Sequence, residues 1–121
     1  MNRFARIAQE TTSLSPLMQG RDKIQMEELI REFPNGVTVM EFDMVESDTG
    51  AYPVFTIAEN PHVFACGGRI LANICLAWTK DYHGDIEAAS NELKTAGGVK
   101  MRFYAGRTKT GNNLTKVEIL G

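Results

Sequence analysis

From Val37 the chain alternates apolar and polar positions with a period of two: VTVMEFDMVE, then the turn residues SDTG, then AYPVFTIA. β-Branched and aromatic residues on either side of a turn predict a hairpin. Thr38, Met40, Phe42 and Met44 share one parity and Val37, Val39 and Val45 the other. Both faces are therefore partly apolar, and alternation alone leaves the core face open. Pro53 removes one backbone donor, which places the early part of the second strand at an edge or bulge. After Glu59-Asn60-Pro61 a third strand, HVFAC, runs into Gly67-Gly68.

The period then lengthens. In RILANICLAWTKDY, residues Ile70, Leu71, Ile74, Cys75 and Trp78 recur at helical spacing and predict a helix from about Arg69 to Tyr82, with Trp78 in the core. A second helical stretch is expected from Asp85 to Thr95, ended by Gly97-Gly98. The chain closes with VKMRFYAG, a polar turn RTKTG and NNLTKVEIL, which reads as a terminal hairpin. Upstream, Ser13, Ser15, Pro16 and Gly20 interrupt any period, so residues 1–21 are read as a flexible N-terminal arm. Asp22 is placed to cap a helix over 23–33, which Pro34-Asn35-Gly36 stops.

The expected order is an N-terminal helix, three strands, a helical insertion and two strands, in one domain over 22–121. Five strands with a helical insertion between the third and fourth is the arrangement of an OB-like barrel, mainly β with helices. An unrelated α+β sheet with its helices on one face is the alternative, because element order restricts topology without setting it.

A chain of 121 residues that is 43% hydrophobic and 23% charged is sized for one packed core and lies far from the composition of disorder. It has no run near the roughly 20 apolar residues of a membrane helix, and MNRFARIAQETTSLSP lacks a signal-peptide core. A cytoplasmic protein with no membrane partner is expected. Cys66 and Cys75 lie in apolar stretches and are expected as reduced, buried thiols.

The net charge of −2 hides a division along the chain. Residues 1–93 hold 7 Lys+Arg and 14 Asp+Glu, whereas residues 94–121 hold 6 Lys+Arg against Glu118 alone. A local excess of positive charge attracts phosphates whatever the total charge. Within it, alternation puts Val99, Met101 and Phe103 on one face of the first terminal strand and Lys100, Arg102 and Tyr104 on the other. Two cations beside an aromatic ring offer charge to follow a phosphate backbone and a π-surface on which a base stacks. Arg107 and Lys109 extend the basic line into the turn, and Lys116 returns it on the last strand. Tyr52, near the 47–50 turn, is a second candidate stacking platform, and Phe55 beside it is assigned to the core.

Other chemistry is sparse. His62, Cys66, Cys75 and His83 are residue types that hold zinc, but H-x3-C-x8-C-x7-H matches no compact zinc motif. Gly67-Gly68-Arg69 before a helix lacks the spacing of a phosphate-binding loop. No nucleophile sits in a recognisable setting, and with two histidines the acid–base repertoire is narrow. A non-enzymatic protein without cofactor or metal is expected.

The phrases GVTVMEFD, YPVFTIAENPHVFACGGRIL, DIEAAS and GGVKMRFYAGRTKTGNNLTKVEIL resemble small proteins encoded by phages and prophages of Gram-positive bacteria, over about residues 14–121. That group is associated with OB-fold single-stranded DNA binding in phage replication or recombination. The resemblance implies a DNA site at Lys100, Arg102, Arg107, Lys109, Asn112 and Lys116, with Tyr104 as aromatic partner. Housekeeping proteins of this type recruit partners through a flexible acidic tail, whereas here a strand runs to Leu120-Gly121, so contact with phage replication or recombination proteins is expected through the N-terminal arm. One OB domain grips about 4–16 nucleotides, which makes a homo-oligomer a reasonable expectation. The competing expectation is a phage protein–protein interaction or virion-associated module whose basic strip docks on an acidic partner.

Overall fold

The computed structural model describes residues 15–48 and 50–121. Residues 1–14, most of the expected arm, lie outside the described residues. Six strands form one sheet there: β1 (Asp22–Lys23), β2 (Val37–Ser47), β3 (Gly50–Ile57), β4 (Asn60–Cys66), β5 (Val99–Arg107) and β6 (Asn113–Ile119). The helices α1 (Met26–Glu32), α2 (Arg69–Lys80) and α3 (Ile86–Thr95) accompany them, with a 3-10 turn at Pro16–Met18. The architecture is mixed α+β.

The sheet order is β1-β4-β3-β2-β5-β6, open between β1 and β6. The α+β class is the expected one, whereas the sheet of the described residues does not close into a five-stranded barrel. The reason is local: the free edge of β4, which a closing terminal strand would need, is occupied by β1. Asp22 and Lys23 pair in parallel with Val63 and Phe64, and the Ile24 amide donates to Phe64 O at 2.9 Å. The same pairing corrects the first helix, which starts at Met26 behind Gln25, with Asp22 held in a strand and capping nothing.

The first hairpin pairs Ser47 with Gly50 and runs in regular antiparallel register back to Glu41 and Thr56. There β2 carries one extra residue, Met40, between Val39 (opposite Ile57) and Glu41 (opposite Thr56). A bulge reverses side-chain parity along a strand. Val37 and Val39 therefore join Phe42 in the main core, while Val45 faces the other side. This resolves the two-faced apolar pattern. The bulge also bends β2 near the point where it leaves β5, which it pairs over residues 37–39, while β3 accompanies it from Val39 onward. Pro53 ends the β3–β4 ladder: its carbonyl accepts from the Gly67 amide at 2.9 Å, and its missing donor falls on that same side, just beyond the last strand pair Val54–Cys66.

Where β5 leaves β2, α3 takes its place. The Ser90 hydroxyl accepts from the Phe42 amide at 3.0 Å, supplying the acceptor a strand would have offered. Asp85 starts α3 by accepting from the Ala88 amide at 3.0 Å. Ser90→Ala is expected to strand the buried Phe42 donor and lower stability by about 1–3 kcal/mol. Urea unfolding checks this, and a loss below about 0.5 kcal/mol would mean that water replaces the hydroxyl.

The main core lies between the sheet and the helices, from Leu29 of α1 and Leu71 and Cys75 of α2 to Phe42, Phe55, Met101 and Phe103 of the strands. Phe55 and Phe103 stack at 5.3 Å between centroids, and Trp78, half-buried, tilts against Phe42 at 5.5 Å. On the opposite face Val45, Val54 and Phe64 form a smaller cluster covered by Leu17 and Met18. Ser15–Arg21 is thus docked and not part of a free arm. The Ser15 hydroxyl donates to Asp43 Oδ2 at 2.7 Å, and Arg21 donates to Pro61 O at 3.0 Å while lying 3.8 Å from Glu41. Burial pushes the Cys75 thiol up to about 12, and burial, partly offset by Lys23, raises that of half-buried Cys66, so neither favours a thiolate. No helix among the described residues is long and apolar enough to cross a membrane.

Candidate nucleic-acid interface

The terminal hairpin pairs Arg102 with Glu118, Tyr104 with Lys116, Gly106 with Leu114 and Arg107 with Asn113. Residues directly opposite in an antiparallel pair share a face. Met101 and Phe103 are buried inward, so Lys100, Arg102, Tyr104 and Lys116 emerge together on the outward face. Alternation places the first three together, and the cross-strand register adds Lys116.

Contacts within that face give it order. The Arg102 guanidinium lies over the Tyr104 ring, 4.5 Å from its centroid, a cation–π arrangement. Its Nε donates to Glu118 Oε1 at 3.1 Å, and its terminal nitrogens have no partner among the described residues. Lys116 stretches across Gly106: a Cβ on that glycine would stand 2.7 Å from Lys116 Cε. The absent side chain lets the lysine stem lie flat on the sheet across Gly106, two residues beyond Tyr104.

Glu118 is the feature that sequence reading left unassigned. It appears there only as the lone acid of a basic segment, whereas cross-strand register makes it the anchor of Arg102. The remaining candidates sit elsewhere. Arg107 follows the parity of Met101 and Phe103 and so turns to the opposite face from Arg102. Lys109 is exposed in the turn. Asn112 shapes that turn: its amide donates to Thr108 Oγ1 at 3.2 Å, and its carbonyl accepts from the Thr108 amide at 2.9 Å. Tyr52 lies half-buried near the far end of β2, opposite Val45, with the small cluster under Leu17 and Met18. It is not brought to the hairpin face.

Two clefts offer contrasting surroundings. One, of about 360 Å³, lies beside the bent β2 and α3 and is lined by Glu41, Asp43 and Glu87 among others. Glu41 is tied there to Lys94 at 3.1 Å. Its carboxylates disfavour a polyanion. The other, of about 580 Å³, runs between α1 and the inward side of the terminal hairpin, along Met26, Ile30, Ala105 and Thr115. Among the described residues no group of three or more His, Cys, Asp or Glu side chains converges as a metal site would require. No protein-family model, curated protein or solved structure matches the chain.

Proposed function

We propose that this protein binds single-stranded DNA with little sequence preference, through the outward face of the β5–β6 hairpin, in phage DNA replication or recombination. The observation that carries the reading is the preformed stack of Arg102 on Tyr104, with Lys116 directly across the strand pair. A half-exposed ring flanked by cations accepts the π-face of any base on its free side while the cations follow the backbone, which explains affinity without base selection. Arg102 meets Glu118 through Nε alone, so its terminal nitrogens remain suited to a phosphate.

The strand connectivity supports an OB-like reading of the scaffold. Strands β2 to β6 run in spatial order β4-β3-β2-β5-β6, with a bulged β2 pairing both neighbours and helices between β4 and β5. That is the connectivity of a Greek-key OB barrel left unclosed.

Fluorescence anisotropy of a labelled thymidine oligomer and a duplex of equal length, at low and high salt, tests the proposal. The expected result is preference for the single strand and a steep loss of affinity with salt, as counterions are no longer released. Tyr104→Ala is expected to cost about 1–3 kcal/mol of binding. Lys116→Ala is expected to weaken binding and reduce the salt slope by about one. Absence of binding to either oligomer at low salt would overturn the proposal and leave the protein-interaction module as the reading to pursue.

A further inference from the structure

β6 is one edge of the sheet, and its backbone alternates in what it offers. The Thr108 amide donates to Asn112 O, and the Leu120 amide donates to Lys100 O. With the intervening register, the even-numbered residues of β6 turn their N–H and C=O groups toward β5. Thr115, Val117 and Ile119 therefore turn theirs outward, and no group among the described residues bonds them. Beside this edge Ile119 is 52% and Leu120 44% exposed, two of the large apolar side chains that the fold leaves uncovered. α2 packs near β6 on the core side without a backbone hydrogen bond to it.

An open edge of this length is a template for another strand. We infer that its occupant is β6 of a second copy, paired antiparallel about a two-fold axis at Val117. The choice of partner and register follows from charge. Only residues with outward backbone groups form the hydrogen-bonded pairs, so self-pairing is restricted to registers two residues apart. Pairing Thr115 with Val117 of the second copy sets Lys116 against Lys116, and pairing Val117 with Ile119 sets Glu118 against Glu118. Pairing Val117 with Val117 sets Lys116 opposite Glu118 twice, Leu114 opposite Leu120 twice and Thr115 opposite Ile119 twice. Lys116 and Glu118 then meet in the non-hydrogen-bonded positions, where side chains lie closest.

The same register covers the exposed Ile119 and Leu120. A two-fold axis perpendicular to the sheet keeps both outward faces on one side. The two Arg102, Tyr104 and Lys116 sets become one strip across four strands. That last consequence rests on the proposed DNA-binding face, whereas the dimer does not.

Sedimentation velocity of the full chain without DNA, together with circular dichroism to verify folding, tests the pairing. The wild type is expected to sediment as a dimer at micromolar concentration. K116E and E118K each place like charges opposite one another twice and are expected to weaken the dimer roughly tenfold or more. The combined K116E/E118K chain regains opposite charges and is expected to dimerise again. T115P removes only an outward donor, so it leaves the β5–β6 ladder intact and is expected to give a folded monomer. A monomeric wild type, or dimerisation equal in all four variants, overturns the inference. A dimer that fails to bind DNA overturns only the proposed function, and a monomer that binds it overturns only the pairing.

Discussion

Replacing Phe55 with alanine is expected to lower the unfolding free energy by about 3–5 kcal/mol, a large share of the ~5–15 kcal/mol that a domain of this kind possesses. Phe55 has no exposed surface, stands opposite Phe42 and Ala65 on the neighbouring strands, and stacks on Phe103 of β5. Its removal deletes the ring that joins the first hairpin to the terminal one, and the surrounding β-structure closes such a void only partly. Guanidinium unfolding measures the effect. A shifted midpoint with an unchanged slope is the expected form, and a loss under 1 kcal/mol would show that Phe55 does not bridge the two hairpins.

Gly98→Ala is expected to cost about 2–5 kcal/mol, from two sources that add. Gly98 has φ of +80°, a conformation costing an L-residue roughly 1–2 kcal/mol. A Cβ there would also lie 2.6 Å from Val39 O, 2.7 Å from Met40 Sδ and 2.8 Å from Thr38 Cγ2. The sulfur can move, but the carbonyl belongs to the β2 backbone beside its bulge, and relieving the clash displaces the start of β5. Such overpacking adds roughly 1–3 kcal/mol. Gly97→Ala is the control: its φ is +90°, but a Cβ would meet nothing within 4 Å. It is expected to cost only the conformational part. Thermal melts of the two variants separate the sources, and equal losses would show that the contact with Val39 is not limiting.

Gly98 also marks the boundary of what the sequence discloses. The Gly97-Gly98 pair reads from sequence as a helix stop, and α3 does end before it, at Thr95. Its second use, close passage of the chain beneath the Val39 carbonyl, depends on a strand nearly 60 residues earlier. Met40 is a comparable case. Alternation through VTVMEF shows two apolar faces, yet nothing local identifies which residue bulges, because the extra residue is defined by the register of β3 and β5.

In the candidate site the division is the same. The outward set of Lys100, Arg102 and Tyr104 is legible because it depends only on the period-two geometry of one strand. The pairing of Arg102 with Glu118, the passage of Lys116 over Gly106 and the turning away of Arg107 all depend on cross-strand register and on where the turn begins. Tyr52 reads as a candidate stacking residue because it is an aromatic ring near the 47–50 turn, but the docking of Leu17 and Met18 gives its neighbourhood a different surface.

The sequence by itself determined the positions of the hairpins and of α2 and α3, and the outward basic-aromatic row, because periodicity, turn residues and helix caps act over a few residues. Only the tertiary structure decided that β1 takes the edge of β4, that β2 bends at Met40, that Ser90 stands in for a strand partner and that, among the described residues, the sheet ends at β6. Each of these is a competition between distant segments for the same backbone hydrogen-bonding groups, and its outcome depends on which segments pack against the shared core.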